Sequence, residues 1–367
     1  MHATLLLARL RAAVLLCRWP AIYSLALYCA LAITTTTARA VDEVGVPVET
    51  SNGRFIALLL PSQSKAFKTA CDTIRAGVLA AERVHGDASI PLVRAYATDD
   101  KEENISAVYE KAVADGAQVV IGPLTKPAIN YLSDSTKLRI PVLALNSFDD
   151  TTLPQSLLYS FSLSVETEAA QVAQVLQQNM FTHPVILQVN DTLSQRMAQG
   201  FAQEWRKVTG SEPLMITVSD ARRDAAELKQ QLLDANADAI FLAMDGKAAR
   251  LVRPYLGNDR AIYGTSQMDS GRLGRTALVD LTGVRYLDMP WMGMPNSEGY
   301  DLYNRTRSSS NDLERLFAFG IDAWQLAAML ADPMGGERII DGVTGQLIVG
   351  KDHVVQRVLI SRSIGGK

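Results

Sequence analysis

Short runs of apolar residues alternate with longer amphipathic segments from residue 54 to residue 264. The run Phe55–Leu60 (FIALLL) is apolar at every position, which is typical of a strand that is buried on both faces. Residues 67–84, which follow it, repeat apolar side chains at helical spacing. Strands that alternate with helices in this way predict an α/β fold, in which parallel sheets are flanked by helices on both faces.

The alternating elements fall into two series of about four strands each, and two Rossmann-like lobes accommodate them better than one continuous sheet. The remainder of the chain is less regular. Residues 313–330 predict an amphipathic helix, while residues 346–349 and 354–361 predict a closing antiparallel hairpin.

The first 40 residues contain four arginines and no acidic residue. The apolar run at 21–33 is shorter than the roughly 20 residues that span a bilayer. The sequence Ala38-Arg39-Ala40 has the small-x-small pattern of a signal peptidase site. We therefore predict a secretory signal peptide over residues 1–40, cleaved near Ala40, and a flexible leader over residues 41–53. The alternative is an uncleaved N-terminal segment that anchors the chain in the membrane.

The composition of the exported chain follows from this cleavage. Neither Cys17 nor Cys29 follows a small residue, so neither predicts a lipid attachment site, and we expect a soluble periplasmic protein. Without residues 1–40, Lys+Arg falls from 36 to 32 against 39 Asp+Glu, which leaves a net charge of −7. An acidic surface argues against nucleic acid as a partner. Cys71 is the one cysteine left, so no intramolecular disulfide is expected.

Polar side chains follow most of the predicted strands. In open parallel sheets, ligands bind beyond the carboxyl ends of the strands, so these side chains are candidates for a polar cleft. Small hydroxyl, amide and carboxylate residues also cap helices and form turns, and that alternative stays open for each of them. The candidates are Ser62, Thr125, Lys126, Asn146, Ser147, Asp191, Asp245, Thr265 and Ser266.

Signals for catalysis are weak. Ser62 and Lys65 form an S-x-x-K pattern, the nucleophile and base of some serine acyl enzymes, but the K-T-G strand that accompanies it in those enzymes is missing. The three histidines after residue 40 are isolated along the chain, and no P-loop, G-x-G-x-x-G or metal-ligand spacing occurs. We predict no catalytic residue, no cofactor and no metal, with a serine acyl hydrolase at Ser62 as the least favoured alternative.

Trp291 lies in an apolar cluster bounded by proline and glycine. In a loop it would be a candidate anchor for a protein partner, because tryptophan is enriched in binding hot spots. The alternative is that Trp291 packs in the core.

Several segments between residues 54 and 361 carry a family resemblance when they are taken together and in order. The segments are IALLLP (56–61), VIGPLTKPAIN (120–130), PVLALN (141–146), ADAIFLAMDGKAARLVRPYL (237–256), YGTSQMDSG (263–271), DMPW (288–291), RLFAFGIDAWQLAAML (315–330) and GVTGQL (342–347). They resemble the penicillin-binding-protein activators of the LppC/LpoA type. More distantly, the chain is similar to type I periplasmic binding proteins that carry branched-chain amino acids.

The resemblance implies two lobes joined by three crossovers. Lobe 1 would comprise residues 54–161 and 288–330, and lobe 2 residues 162–287 and 331–367. Activators of this type bind a bifunctional class A penicillin-binding protein in the periplasm and raise its peptidoglycan cross-linking activity. This sequence departs from the best-known members because it shows neither a helical-repeat domain ahead of the binding-protein-like part nor a convincing lipid attachment motif.

The alternative function is that of a periplasmic solute-binding protein that feeds an ABC importer. In amino-acid-binding relatives, the loops that match residues 122–126 and 146–147 hold the ligand, which places Thr125 and Ser147 in a binding role. The ligand amine would need an acid from the other lobe, for which Glu166 and Asp245 are the candidates. A small polar ligand in the cleft is therefore a second expectation.

Overall fold

The computed structural model describes residues 53–365, except 88–89, 100, 150–151, 153, 272, 306–309 and 333–338. The predicted signal peptide (1–40) and the predicted leader (41–53), apart from Gly53, lie outside the described residues. Among the helices that are described, none is both long enough and apolar enough to cross a membrane.

The first sheet contains five parallel strands in the order β2-β1-β3-β4-β5. Every residue of β1 is buried, as its uninterrupted apolar sequence predicts, because helices cover both faces of this strand. The elements of this part of the chain are β1 (Phe55–Leu60), α1 (Lys68–His85), β2 (Leu92–Ala97), α2 (Asn104–Ala114), β3 (Ala117–Ile121), α3 (Lys126–Ser135), β4 (Val142–Ala144) and β5 (Leu158–Ser160).

The second sheet contains six strands in the order β14-β10-β9-β8-β6-β7, all parallel except β14. Its elements are α4 (Val165–Gln178), β6 (Pro184–Gln188), α5 (Thr192–Thr209), β7 (Leu214–Thr217), α6 (Ala225–Asp234), β8 (Ala239–Ala243), α7 (Gly246–Val252), β9 (Ala261–Gly264), α8 (Arg275–Leu278), β10 (Arg285–Asp288) and β14 (Ile360–Ser363).

A third, antiparallel sheet contains β11 (Ile339–Gly342), β12 (Gly345–Val349) and β13 (Val355–Val358). The predicted hairpin is confirmed in β12 and β13, but the prediction of one strand over residues 354–361 is wrong. The chain changes sheets at Leu359, which is buried and whose N–H is bound by the Gln171 side chain. The strand β14 then pairs with β10. Residues 358–360 (VLI) are apolar without interruption, so the sequence pattern did not reveal the break.

The chain passes between the two large sheets three times: after β5, after β10 and on the way from the helix α10 (Asn311–Ala331) to β14. The second passage leads through α9 (Pro290–Gly293) to α10 (Asn311–Ala331), which confirms the predicted helix and packs against α1. The two helices touch at their glycines. A Cβ on Gly77 would lie 2.0 Å from the Phe317 carbonyl oxygen, and one on Gly320 would lie 2.2 Å from the Ile74 carbonyl oxygen.

Candidate functional site

The loops that follow β3 and β4 are tied together. The Asn146 amide nitrogen donates to the Leu124 carbonyl oxygen at 3.0 Å, and its amide oxygen accepts the Ser147 N–H at 2.9 Å. Gly122 holds a φ of +107°, and a Cβ there would lie 2.0 Å from the Leu59 carbonyl oxygen. Only glycine fits this approach, so the first loop crosses directly over the end of β1. The structure thus brings residues 122–125 and 146–147 to one edge of the sheet.

Thr125 differs from the other predicted caps. It precedes α3 in extended conformation, but its hydroxyl makes no capping hydrogen bond, and the side chain is half-buried. Lys126 begins α3 and is also half-buried. By contrast, Asp191 accepts the Ser194 N–H at 2.7 Å and Asp245 accepts the Ala248 N–H at 2.8 Å. Helix capping accounts for both aspartates, whereas it leaves the Thr125 hydroxyl unused.

Ser62 and Lys65 lie in the turns between β1 and α1, and the helix begins only at Lys68. Ser62 is half-buried, and Lys65 is exposed. Serine–lysine chemistry requires the two side chains one helical turn apart on a shielded helix. The local structure does not provide that arrangement.

Thr265 and Ser266 are buried, at 0% and 3% exposure, contrary to the prediction that they line an open cleft. The Ser266 hydroxyl donates to the Glu168 carboxylate at 2.7 Å, and its N–H donates to the same carboxylate at 3.2 Å. The Thr265 hydroxyl lies 3.3 Å from the Met197 sulfur. The turn after β9 folds inward against α4 and α5, so the Thr265 and Ser266 side chains contact buried residues of these helices and do not line a cleft.

Glu166 is half-buried near the start of α4 and is held by its neighbours. It accepts from the Arg196 Nη2 at 3.0 Å and from the Ser164 hydroxyl at 2.7 Å. Burial works to raise the pKa of Glu166, but the hydrogen bonds from Arg196 and Ser164 outweigh it, and the pKa falls below its usual value. The carboxylate is ionised and already paired, so an incoming amine would have to compete with Arg196.

Trp291 is fully buried, so the prediction that it anchors a partner from a surface loop is wrong. Its Nε1 donates to the Glu314 carboxylate at 3.2 Å, and the Arg305 guanidinium lies 4.4 Å from the ring centroid. Its backbone N–H donates to the Val343 carbonyl oxygen at 2.9 Å. Trp291 therefore joins the second crossover to the turn between β11 and β12.

A cluster of buried charges lies where the crossovers meet, and we call Glu168, Asp288, Arg315 and Arg357 the crossover cluster. Arg315 binds the Asp288 carboxylate with two hydrogen bonds, at 3.1 Å and 2.9 Å. Their side chains are 6% and 1% exposed. The same guanidinium donates to the Ser266 carbonyl oxygen at 3.2 Å, so one arginine on α10 fastens both β10 and the turn after β9.

The second pair of the crossover cluster is longer. The Arg357 Nη2 lies 3.7 Å from the Glu168 carboxylate, while its Nε donates to the Ser162 carbonyl oxygen at 3.1 Å. Burial raises the pKa of Glu168 against the opposing pull of Arg357. A strand of the third sheet is thereby bound to the first crossover.

Asp322 extends the same region along α10. It is fully buried and accepts the N–H groups of Val343 and Thr344, at 2.9 Å and 2.7 Å, together with the Thr344 hydroxyl. Burial raises the pKa of Asp322 to about 6, although the three hydrogen bonds oppose the shift.

Comparison with known proteins agrees with this architecture. The family model described as "LppC putative lipoprotein" matches residues 48–361. The chain belongs to the LppC family. The family and the fold class predicted from the sequence are therefore confirmed.

Curated LppC relatives are longer than this chain. The "Penicillin-binding protein activator LpoA" of Haemophilus ducreyi is 29% identical over 315 residues, which cover 82% of this chain and 52% of the relative. The protein of the same name from Photobacterium profundum is 26% identical over 342 residues, covering 82% of this chain and 54% of the relative. This LppC chain thus spans about half the length of the curated relatives it matches.

Two solved structures share the LppC fold. A "putative branched-chain amino acid ABC transporter" from Chromobacterium violaceum has a TM-score of 0.73 and 37% identity, and the match covers 84% of this chain and 99% of that one. The C-domain of LpoA from Haemophilus influenzae, described as a regulator of PBP1A, has a TM-score of 0.72 and 22% identity, with coverage of 85% and 97%.

The crossover cluster is the part of this LppC chain that sequence reasoning missed. A signal was present, because Arg315 and Asp322 interrupt the apolar stripe of a helix that is otherwise buried. Charged residues are seldom fully buried unless they are paired. The cluster and Asp322 connect all three crossovers, so they fix the two large sheets relative to each other. Within the described residues, no group of three His, Cys, Asp or Glu side chains could hold a metal ion.

Proposed function

We propose that this protein binds a class A penicillin-binding protein in the periplasm and raises its peptidoglycan cross-linking activity, without catalysing a reaction itself. The observation that carries the proposal is the family match over residues 48–361, among relatives named as penicillin-binding protein activators. The match to the LpoA C-domain supports it further, because nearly all of that domain, described as a regulator of PBP1A, has a counterpart in this chain.

The site geometry supports a role in binding rather than in chemistry. Ser62 and Lys65 lie in turns and are not arranged as a nucleophile and base. In the crossover cluster, Arg315 is hydrogen-bonded to the Asp288 carboxylate and to the Ser266 carbonyl oxygen, and the Arg357 Nε is hydrogen-bonded to the Ser162 carbonyl oxygen. An activator of this kind works by binding the active conformation of its synthase more tightly than the inactive one, and its effect is limited by that difference in affinity.

A binding and activity experiment tests the proposal. The purified protein is immobilised and exposed to the class A synthases of the same bacterium, with a class B synthase as control, and cross-linking of lipid-linked precursors is assayed in parallel. We expect saturable binding of one class A synthase and a rise in its cross-linked product. Absence of both binding and any change in cross-linking would refute the proposal.

We also propose that the protein acts as a soluble periplasmic protein after cleavage near Ala40. The basic first 40 residues and the Ala38-Arg39-Ala40 sequence support this. Intact-mass measurement of the protein from a periplasmic extract should give a chain that begins at Val41. Recovery of the uncleaved chain in the membrane fraction would favour the anchored alternative.

A second candidate function, capture of a small polar solute for an ABC importer, is favoured by one observation. The 37% identity to a chain described as a branched-chain amino acid ABC transporter extends over 99% of that chain. Thr125, whose hydroxyl is not used for capping, would be the first contact for such a ligand. Native mass spectrometry of freshly purified protein should then show a retained metabolite that is lost in Thr125→Ala. A chain that stays empty against a panel of amino acids would exclude this function.

A further inference from the structure

Among the residues that the structure describes, the strand β7 forms one edge of the second sheet and pairs with β6 alone. It stands last in the strand order. Its sequence, LMIT, contains no charge and no proline, the features with which proteins usually protect an edge strand. Leu214 and Met215 are 44% and 40% exposed. An apolar edge strand of this kind is a template for the addition of another strand.

The register shows which backbone groups of β7 face outward. The Val218 N–H donates to the Gln188 carbonyl oxygen on β6. In a parallel pair, the residues whose backbone groups face the neighbouring strand alternate with residues whose groups face away. Ile216 and Leu214 therefore face β6, and Met215 and Thr217 direct their N–H and C=O groups away from the sheet.

A groove of about 680 Å³ runs between this edge and α6. It exists because α6 packs through Leu228 and Leu232 against the interior strands of the sheet and leaves the outer part of β7 uncovered. The groove is long enough to follow the strand, since all four residues of β7 line it. An extended peptide that pairs with Met215 and Thr217 would lie along it.

The charges that line the groove indicate what kind of peptide fits. Arg223 and the carboxylates of Asp224, Glu227 and Asp234 give the lining a net charge of −2. Asp224 is occupied by Arg223 and by backbone N–H groups. Glu227 and Asp234 are hydrogen-bonded only to glutamine side chains of their own helix among the described residues. Two carboxylates without a cationic partner favour a peptide with lysine or arginine side chains.

We propose that the groove beside β7 binds an extended, positively charged segment of the synthase as an added strand. This inference rests on the proposed function, and it names the surface through which the contact is made. The backbone of Met215 and Thr217 would supply affinity, and Glu227 and Asp234 would select the charge of the segment.

Two sets of variants test the inference. Met215→Pro removes an outward N–H without removing a hydrogen bond to β6, and Glu227→Gln with Asp234→Asn removes the charge without changing side-chain size. Lys229→Gln is the matched control, because this exposed residue lies on the same helix but does not line the groove. Binding of the class A synthase is measured by biolayer interferometry at two salt concentrations, and folding by circular dichroism.

We expect Met215→Pro to weaken binding of the synthase about tenfold or more. The charge variant, Glu227→Gln with Asp234→Asn, should weaken binding several-fold, and its binding should depend less on salt than that of the wild type. Lys229→Gln should bind like the wild type. Amide hydrogen exchange at Met215 and Thr217 should slow in the complex. If the wild type binds the synthase and all variants bind equally well, the groove inference is overturned while the proposed function stands. If the wild type binds no class A synthase, both are overturned. If Met215→Pro does not fold, the inference is tested by the binding of the charge variant and by amide hydrogen exchange at Met215 and Thr217 in the wild-type complex.

Discussion

Replacing Asp288 by asparagine should destabilise the whole molecule rather than one sheet. The substitution keeps the size of the side chain but removes the charge that the buried Arg315 guanidinium binds at 2.9 Å and 3.1 Å. Arg362 also approaches this carboxylate, at 3.3 Å. The asparagine NH₂ group would face guanidinium N–H groups, so a donor would meet a donor.

The magnitude follows from the burial of the pair. Removing one partner of a buried ion pair costs about 3–5 kcal/mol, because the remaining charge is left without compensation. That is a large part of the roughly 5–15 kcal/mol that stabilises a folded protein. Unfolding entropy grows with chain length, so for a chain of this size we expect Tm to fall by about 5–8 °C.

Differential scanning calorimetry of the wild type and Asp288→Asn measures this change. Arg206→Met is the matched control, because its ion pair with Glu212 is exposed on both sides and should leave Tm nearly unchanged. A single transition that moves as a unit is expected, since the crossover cluster joins elements of both large sheets. If Asp288→Asn shifts Tm no more than the control does, the stabilising role assigned to the crossover cluster is wrong.

Two further predictions concern α10. The folded pKa of Asp322, about 6, lies above its usual value of 3.8, so its contribution to stability is fully present below pH 3.8 and is lost as the pH rises through 6. Relative to Asp322→Asn, the free energy of unfolding of the wild type should fall by up to about 1.4 kcal/mol per pH unit between pH 3.8 and pH 6, as measured by urea unfolding at each pH. If the free energy of unfolding depends on pH equally in both proteins, the raised pKa of Asp322 is contradicted. Gly77→Ala places a methyl group against the Phe317 carbonyl oxygen and should lower the free energy of unfolding by about 1–3 kcal/mol in the same assay. Gly274→Ala is the control, because open space surrounds Gly274, and it should leave the free energy of unfolding unchanged. Equal stability of the two variants would show that α1 and α10 are not in close contact.

The helices and strands were largely predictable because their signals are local. The uninterrupted apolar run of β1 and the helical spacing in α1 and α10 are each contained in one segment of sequence, and burial on a sheet follows directly from them. Helix capping by Asp191 and Asp245 was an open alternative in the sequence, since each aspartate lies immediately before its helix. The break at Leu359 could not be predicted, because the apolar run 358–360 (VLI) joins β13 to β14 without interruption, although the two strands pair with different sheets.

The α/β class, the order of the elements, the family and the polar ends of the strands could be predicted, because they depend on residues that are neighbours along the chain. Which polar residues face inward became clear only from contacts between distant segments. Ser266 meets Glu168, and Arg315 meets Asp288, across separations of 98 and 27 residues. Whether such a side chain lines a cleft or neutralises a buried charge depends on how the crossovers bring distant segments together. A local sequence pattern contains no information about these contacts. The same holds for Trp291, whose burial depends on Glu314, Arg305 and the turn at Val343.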